Sequence, residues 1–174
     1  MAALPRRATI GSGPHYAAGY WNVDLWEPPA GATPPDIYAS IYDLADVFAP
    51  ASLDQVYLGH ILEHLEWHRI PEALAQVNAV LAPGGEVMVV GPCILRAVAT
   101  GQPEWLLTAI LADPRDPPTG HAHAWTPTEA LTLEAVRSVF ADAEVVPVTD
   151  VRAPRYPNPS NAPWQCAVRA RKEG

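Results

Sequence analysis

Short apolar runs rich in β-branched residues recur along the chain, and each is bounded by Gly, Pro, Asn or Asp. Runs of this kind between turn-forming residues are typical of buried strands. We therefore predict strands at residues 8–10, 21–23, 53–58, 86–90, 144–148 and 165–170. The segment Asp36-Ile37-Tyr38 indicates a further, shorter strand.

Helical patterns separate several of these runs. Leu74 and Val77 fall on one face of a helix that the spacing of apolar residues predicts over residues 71–81. Pro71 suits its first turn, because the N–H that proline lacks has no helical partner there. Pro83-Gly84-Gly85 is expected to end this helix.

A second helix is predicted after Thr126, which can serve as its N-cap. Pro127 would open the first turn, and Glu129 would complete a capping box. Strands that alternate with helices indicate the α/β class, here a Rossmann-like, doubly wound, mostly parallel sheet of roughly six to seven strands with helices on both faces. The last two strands are joined by the Pro- and Asn-rich segment 152–163, which shows no helical periodicity, so we expect a reversed last strand.

Length, charge and cysteine content narrow the class of protein. The 174 residues fit a single domain over residues 1–174. A net charge of −8 repels the phosphates of nucleic acids, which we therefore do not expect as partners. No run approaches the ~20 apolar residues of a membrane span, and no signal peptide is apparent. Cys93 and Cys166 cannot form a disulfide framework, so we predict a cytoplasmic protein without a membrane partner.

Candidate chemistry lies where the predicted strands end, because ligands of open α/β sheets bind at the carboxyl ends of the strands. Gly11-Ser12-Gly13 follows the first strand, and its backbone N–H groups could approach a carboxylate or phosphate. Asp24 follows the second strand and could accept hydrogen bonds from both ribose hydroxyls. Asp43 and the pair Gly59-His60 follow later runs. Taken singly, each feature also suits an ordinary turn or helix cap.

The order and spacing of these segments resemble the class I S-adenosylmethionine-dependent methyltransferases, in particular the small-molecule group. The resemblance extends over residues 8–92 and, more loosely, over residues 125–171. The motifs that carry it are Ile10-Gly11-Ser12-Gly13-Pro14, Asn22-Val23-Asp24-Leu25, Leu53-Asp54-Gln55-Val56-Tyr57, His60-Ile61-Leu62-Glu63-His64-Leu65 and Val80-Leu81-Ala82-Pro83-Gly84-Gly85-Glu86-Val87.

The resemblance implies a seven-stranded sheet with a reversed final strand, S-adenosylmethionine as cofactor and S-adenosylhomocysteine as product. It places Gly11 and Gly13 near the methionine moiety, Asp24 near the ribose and His60 near the transferred methyl group. The adenine would lie against Leu25, with Asp43 at its edge. The remaining residues assigned to cofactor binding are Ser12, Leu44 and Gly59.

Two features depart from the usual pattern of this family. The chain begins almost directly at its first strand, without the helices that normally precede it. In addition, residues 14–23 are too few for a full crossover helix with its two loops. We therefore expect a vestigial helix, or a loop around His15-Tyr16, between the first two strands.

The stretch His60-Ile61-Leu62-Glu63-His64 also matches H-x-x-E-H, in which two histidines on a helix bind zinc. Zinc proteases of that type need a further acidic ligand and a large second domain, for which this chain has no room. We therefore assign no metal ligands and keep a metallohydrolase as a remote alternative. His64 and His68 are expected on a short amphipathic helix, with no chemical role.

The acceptor of the methyl group is expected to be a small molecule or peptide-like, chosen by the variable insert 94–120. His121 and His123 follow this insert and could act as general base, with His60 positioning the acceptor, although both also suit a surface loop. The main alternative function is a non-catalytic module that binds S-adenosylmethionine or a nucleotide. The sequence leaves open a homo-oligomer, for which Trp164 is a candidate contact.

Overall fold

A computed structural model describes residues 4–101, 123–148 and 163–174. Its centre is a seven-stranded sheet in the order β3-β2-β1-β4-β5-β7-β6. The strands are β1 (Arg7–Ile10), β2 (Trp21–Asp24), β3 (Ile37–Tyr38), β4 (Leu53–Gly59), β5 (Leu81–Pro92), β6 (Glu144–Val146) and β7 (Gln165–Arg171). The α-helices of the described residues are α1 (Leu44–Val47), α2 (Ile70–Val80), α3 (Ile94–Ala99) and α4 (Glu129–Arg137).

The first five strands run parallel, and β7 runs antiparallel to both β5 and β6. The predicted fold class is therefore confirmed as an α/β, Rossmann-like, mostly parallel sheet with a reversed last strand. The reversed strand lies between β5 and β6 rather than at the edge. The long connection from β5 through α4 to β6 makes this order possible, because it carries the chain past the position that β7 then fills.

The larger hydrophobic core lies between one face of the sheet and helices α1, α2 and α4, which contact one another. Alternate residues of the central strands, such as Ala8 and Ile10 of β1 and Val56 and Leu58 of β4, supply the sheet side of this core. A smaller cluster around Tyr57 and residues of β5, β6 and β7 lies on the opposite face. No helix among the described residues is long and apolar enough to cross a membrane.

No helix connects β1 to β2, and a loop takes its place, as the short spacing predicts. Asn22, which is fully buried, holds this loop: its side-chain amide accepts from the Ala17 N–H at 2.6 Å and donates to the carbonyls of Ala17 and Tyr20. Asp36 accepts in turn from the backbone and side chain of Asn22 and from the Tyr16 hydroxyl. A polar network that extends from the buried Asn22 to the exposed Asp36 and Tyr16 thus holds the loop that stands in place of a crossover helix.

The predicted end of the first long helix is wrong in detail. Helix α2 ends at Val80, and β5 already begins at Leu81, so Pro83-Gly84-Gly85 lies within the strand where its register against β4 shifts. A Cβ atom at Gly85 would meet the Ala82 carbonyl oxygen at 2.8 Å, so the bulge admits only glycine there. The Lys172 ammonium ends the helix instead, since it donates to the carbonyls of Asn78 and Leu81 at 2.8 Å each.

The predicted cap of the second helix is also wrong. The N-cap of α4 is Thr128, whose hydroxyl accepts from the Leu131 N–H at 3.1 Å, so the helix begins after the segment that holds Thr126 and Pro127. Glu129 forms an ion pair with Arg96 of α3 and closes no capping box. The Glu129 carboxylate, which the local pattern assigned to the helix N-terminus, instead pairs with Arg96, a residue distant in sequence. Residues 102–120 of the variable insert lie outside the described residues, as do His121 and most of the segment 152–163.

Candidate active site at the carboxyl ends of the parallel strands

A cavity of about 530 Å³ opens where β1, β2 and β4 end. The sheet order reverses between β1 and β4, and ligands of open α/β sheets bind in the crevice at such a reversal. The volume lies within the range of small-molecule and cofactor sites. Its walls consist of the glycine turn after β1, the residues after β2, the start of the segment after β3 and the turn after β4; they are Ile10, Gly11, Gly13, Pro14, Asp24, Leu25, Trp26, Glu27, Pro28, Pro29, Ala39, Ser40, Ile41, Tyr42, His60, Ile61, His64 and Leu65.

The glycine turn after β1 is held by the strand beside it. The N–H groups of Gly11 and Ser12 both donate to the Val23 carbonyl, at 2.8 and 3.1 Å. The Gly13 N–H donates to Asp24 Oδ2 at 2.7 Å. All three N–H groups of the turn therefore donate to acceptors inside the protein. That backbone N–H groups of this turn could approach an anionic group of a ligand stays a prediction. The absence of side chains at the two glycines leaves space for the cavity.

The Asp24 carboxylate accepts hydrogen bonds from the backbone of two segments, the glycine turn after β1 and the residues after β2. One carboxylate oxygen accepts from Gly13, and the other accepts from the Trp26 N–H at 2.9 Å. Each carboxylate oxygen carries two lone pairs, so the group retains capacity for further donors from the cavity. Asp24 is partly exposed there.

The side walls of the cavity are largely apolar. Leu25 and Trp26 are 54% and 60% exposed and line the cavity. Across the opening lie Ser40, Ile41 and Tyr42 at the start of a 3-10 helix that follows β3. These residues form a slot with apolar faces.

Two of the predicted cofactor-binding residues after β3 are not brought to this slot. Asp43 is exposed and does not line the cavity, and Leu44 is fully buried in the core beneath α1. The 3-10 helix explains this, because it turns Ser40 and Tyr42 to the cavity and Asp43 away. Ser12 and Gly59 are also buried and do not line the cavity.

His60 stands at the carboxyl end of β4 with a φ of 55°, one of two non-glycine residues of the described chain with positive φ. Its N–H donates to the Val90 carbonyl at 2.8 Å, which continues the parallel ladder with β5. Positive φ is uncommon for a non-glycine residue, although histidine adopts it more readily than most. The role assigned to His60 stays a prediction.

Both ring nitrogens of His60 have partners. Nδ1 lies 3.1 Å from Glu63 Oε1, and Nε2 lies 2.7 Å from the side-chain nitrogen of Gln165, the first residue of β7. With the Gln165 amide donating, Nε2 accepts, and the Nδ1 edge of the ring lies on the side of the carboxylate. Because Gln165 is fully buried, this partner is permanent, and the ring is held as a rigid part of the wall.

Glu63 is a carboxylate almost completely removed from solvent, with 2% of its surface exposed. Burial by itself raises the pKa of Glu63. The contact with the His60 ring and the electrostatic influence of His60 and His64 outweigh the effect of burial, so the pKa of Glu63 lies below its usual value. The carboxylate is therefore ionised inside the fold. Glu63 was recognisable from the sequence only as part of the H-x-x-E-H pattern and received no predicted role in the site, because the sequence does not show that its side chain is buried beside His60.

His64 and His123 meet beside Glu63. Their rings lie edge to face with centroids 5.0 Å apart. His64 lines the cavity, whereas His123 does not. The role of general base given to His123 stays a prediction. Burial lowers the pKa of His123, which keeps its imidazole neutral near pH 7. His64 ends a 3-10 helix over Leu62–His64, and His68 lies on a second one over Trp67–Arg69, so the amphipathic helix predicted for these two residues is not formed. His68 is exposed.

His123 is placed by the two residues that follow it. The Ala124 N–H donates to the Glu63 carbonyl at 2.7 Å, and the Trp125 indole N–H donates to the Leu62 carbonyl at 2.9 Å. The Trp125 ring also packs edge to face on Trp67, with centroids 4.9 Å apart. The end of the variable insert is thus fastened to the turn after β4.

No protein-family model and no curated protein matches the chain by sequence. Solved structures match it by fold. An S-adenosylmethionine-dependent methyltransferase from Archaeoglobus fulgidus has a TM-score of 0.61 at 16% identity, over 98% of this chain and 87% of the other. The chain has the fold of the class I S-adenosylmethionine-dependent methyltransferases.

Other structures with this methyltransferase fold match the chain to a similar degree. An S-adenosylmethionine-dependent methyltransferase from Mesorhizobium loti has a TM-score of 0.58 at 19% identity, over 99% of this chain and 94% of the other. Human N-acetylserotonin methyltransferase in complex with S-adenosylmethionine has a TM-score of 0.56 at 12% identity. The match covers 97% of this chain but only 47% of the human enzyme, so this chain spans about half of that enzyme's length. At these identities the likeness is one of fold.

Proposed function

We propose that the chain binds S-adenosylmethionine in the cavity at the ends of β1, β2 and β4, and transfers its methyl group to a small-molecule or peptide-like acceptor. The observation that carries the proposal is the arrangement of the Gly11 turn, Asp24 and His60 around one cavity at the reversal of strand order. The fold of known methyltransferases supports it, since several of the similar structures bear that activity in their names.

Three parts of the cavity match three parts of the cofactor. Gly11 and Gly13 leave room for the methionine moiety, since a side chain on Gly11 would reach Ile61 across the cavity floor. The spare lone pairs of Asp24 suit the two ribose hydroxyls. The exposed faces of Leu25 and Trp26, opposite Tyr42, suit a planar adenine ring.

Methyl transfer is an in-line displacement. A lone pair of the acceptor forms a bond to the methyl carbon while the bond between that carbon and the sulfonium sulfur breaks, and the sulfur retains its electron pair as the neutral thioether S-adenosylhomocysteine. The protein accelerates this step mainly by fixing the approach of the two reactants. We assign this positioning to His60, whose ring is immobilised by Glu63 and Gln165 at the cavity wall.

An acceptor that carries a proton must also lose it, and a neutral histidine can take it. His121 and His123 are our proposed bases for hydroxyl or ammonium acceptors. His123 does not line the cavity, but its ring packs against the ring of His64, which does. His121 lies outside the described residues. A thiolate or neutral amine as acceptor requires no base.

The charge of the chain bears on its partners: at a net charge of −8, we propose that nucleic acid is not the substrate. We further propose that the protein is cytoplasmic, since its two cysteines are buried and free. The second candidate function is a module that binds the cofactor without catalysis, and the loop in place of a crossover helix after β1 favours it, since less of the protein covers the cavity.

Calorimetric titration with S-adenosylmethionine and S-adenosylhomocysteine tests cofactor binding. We expect a single site for each ligand. Absence of heat at millimolar ligand overturns both the enzyme and the module. If the ligands bind, product S-adenosylhomocysteine is then measured across hydroxyl, amine and thiol acceptors, and failure with every acceptor favours the module.

A further inference from the structure

We propose that Glu63, His64 and His123 form a binding site for a divalent first-row transition ion, with Zn²⁺ as the ion of reference. One ligand atom from each of the three side chains lies within 4.8 Å of the other two. The sequence pattern H-x-x-E-H pairs His60 with His64, whereas the fold replaces His60 by His123, which is distant in the chain. The site adjoins the cavity proposed for methyl transfer and shares His123 with the base proposed there, but the observations that support it do not depend on that function.

The geometry of the two rings matches shared coordination. Two imidazoles bound to one tetrahedral ion through bonds of ~2.0–2.1 Å have ring centroids about 5 Å apart. The centroids of His64 and His123 are 5.0 Å apart, and the ring planes are inclined by 78°. Ligand atoms on such an ion lie about 3.4 Å apart, so small side-chain rotations complete the site.

Two buried polar atoms of the cluster lack a hydrogen-bond partner among the described residues. Glu63 Oε1 and His123 Nδ1 are fully buried, and neither has an aligned hydrogen-bond partner among the described residues. The approach of His60 Nδ1 to Glu63 Oε1 at 3.1 Å is a close contact without that alignment. Leaving buried polar atoms unsatisfied is costly, and a cation that accepts lone pairs from both removes the cost.

The ligands are held in place before any ion binds. His64 lies on the 3-10 turn after β4, and His123 is fixed by the Ala124 and Trp125 hydrogen bonds to the same turn. His60 contacts the Glu63 carboxylate from the other side and thereby orients it, the role that a second residue behind a metal ligand usually has. The cavity wall at His64 offers the ion a path from solvent.

The ligand chemistry selects the kind of ion. Two imidazoles and one carboxylate suit Zn²⁺ and its neighbours Fe²⁺, Co²⁺ and Ni²⁺, whereas Mg²⁺ and Ca²⁺ prefer oxygen ligands. Both cysteines are buried, so thiols do not compete for the ion on the folded protein. A bound ion occupies the lone pair that His123 needs as a base, so the metal and base roles of His123 exclude each other.

The test is titration of the chelator-treated full chain with ZnCl₂ by calorimetry, and with CoCl₂ by visible absorption, both without S-adenosylmethionine. We expect one equivalent of Zn²⁺ and the absorption bands of Co²⁺ bound to nitrogen and oxygen. His123→Ala and, separately, His64→Ala are expected to weaken binding by at least about tenfold. The control is His68→Ala, since His68 is exposed and its loss should leave binding unchanged.

The outcomes separate clearly. Binding that survives both His64→Ala and His123→Ala, or no binding by the wild type at millimolar Zn²⁺, overturns the proposal and leaves the cluster as a buried polar network. Circular dichroism of each metal-free variant checks folding. If one variant fails to fold, the other decides, together with the thermal shift that Zn²⁺ produces in the wild type and in His68→Ala. Failure of metal binding does not bear on cofactor binding, which is measured separately.

Discussion

The Gly13 N–H donates to the Asp24 carboxylate at 2.7 Å, and this bond joins the turn after β1 to the end of β2. Two elements that are separated in sequence by the loop before β2 thereby form one rigid edge of the cavity. The carboxylate that would hold the ribose is thus also the group that shapes the glycine turn. Its loss should affect both the site and the loop.

Asp24→Ala is expected to weaken S-adenosylmethionine binding by roughly 1–3 kcal/mol, because it removes charge-assisted hydrogen bonds to the ribose and releases the Gly13 turn. Calorimetry measures the loss. Asp54→Ala is the matched control, since Asp54 pairs with Arg6 on the surface and does not line the cavity. Equal affinity for Asp24→Ala and Asp54→Ala would show that the ribose is held elsewhere.

Gly11→Ala is expected to reduce both stability and cofactor affinity. Gly11 has a φ of 70°, and a Cβ there would meet Ile61 Cδ1 at 3.1 Å. The positive φ alone costs about 1–2 kcal/mol for a non-glycine residue. Urea unfolding and calorimetry measure the two effects.

Gly31→Ala provides the control for Gly11→Ala. Gly31 has a φ of 92°, but an added Cβ meets nothing within 4 Å. It should share the loss of stability that the backbone conformation imposes and leave cofactor affinity unchanged. If Gly31→Ala lowered affinity as much as Gly11→Ala, the effect would come from general destabilisation and not from the cavity.

Asp36→Asn should make the free energy of unfolding less dependent on pH in the acidic range. Burial raises the pKa of Asp36, but hydrogen bonds from Asn22 and Tyr16 outweigh it and leave that pKa below its usual value. The ionised form is therefore favoured on folding, so this stabilisation is present above a pH of about 4 and is lost as the pH falls through the folded pKa. The free energies of unfolding of wild type and variant should differ at pH 7 and converge towards pH ~3.

Urea unfolding at several pH values gives these free energies. Tyr16→Phe removes one of the hydrogen bonds to Asp36 and should show the same convergence at smaller amplitude. A difference between wild type and Asp36→Asn that keeps its size down to pH ~3 would contradict the prediction, because the charge of Asp36 would then not be its source.

Cys166 should resist alkylation in the native protein. Burial raises the pKa of its thiol to about 12, so the reactive thiolate is scarce at pH ~8. Mass spectrometry after iodoacetamide treatment should find Cys166 unmodified in the native chain and modified after unfolding in urea. Rapid native labelling at this position would show that β7 opens readily or that the thiol is ionised.

Local patterns predicted the elements of this fold well where the signal is itself local. The strands and the helix α2 appear within a few residues of their predicted positions, since apolar periodicity reflects which face each element buries. The predicted ends of two helices differ from the structure where a residue distant in sequence contacts the helix end. Lys172 caps α2 from the far end of the chain, and Arg96 draws Glu129 away from the start of α4.

The site was predictable to the extent that it depends on strand ends. Gly11, Gly13, Asp24, Leu25 and His60 all line the cavity, because each directly follows a parallel strand near the reversal of strand order. The residues after β3 were misplaced because a turn of 3-10 helix rotates the side chains.

The succession of strands and helices along the chain, the reversed pairing of the last strand and the strand ends that line the cavity could all be predicted from the amino-acid sequence, because they follow from short-range patterns of burial and from chain connectivity. The burial of Glu63, the contact of Gln165 with His60 and the contact of His123 with His64 became visible only in the folded chain. These contacts link residues far apart in the chain, and no local periodicity encodes which distant side chain fills the space beside a given turn.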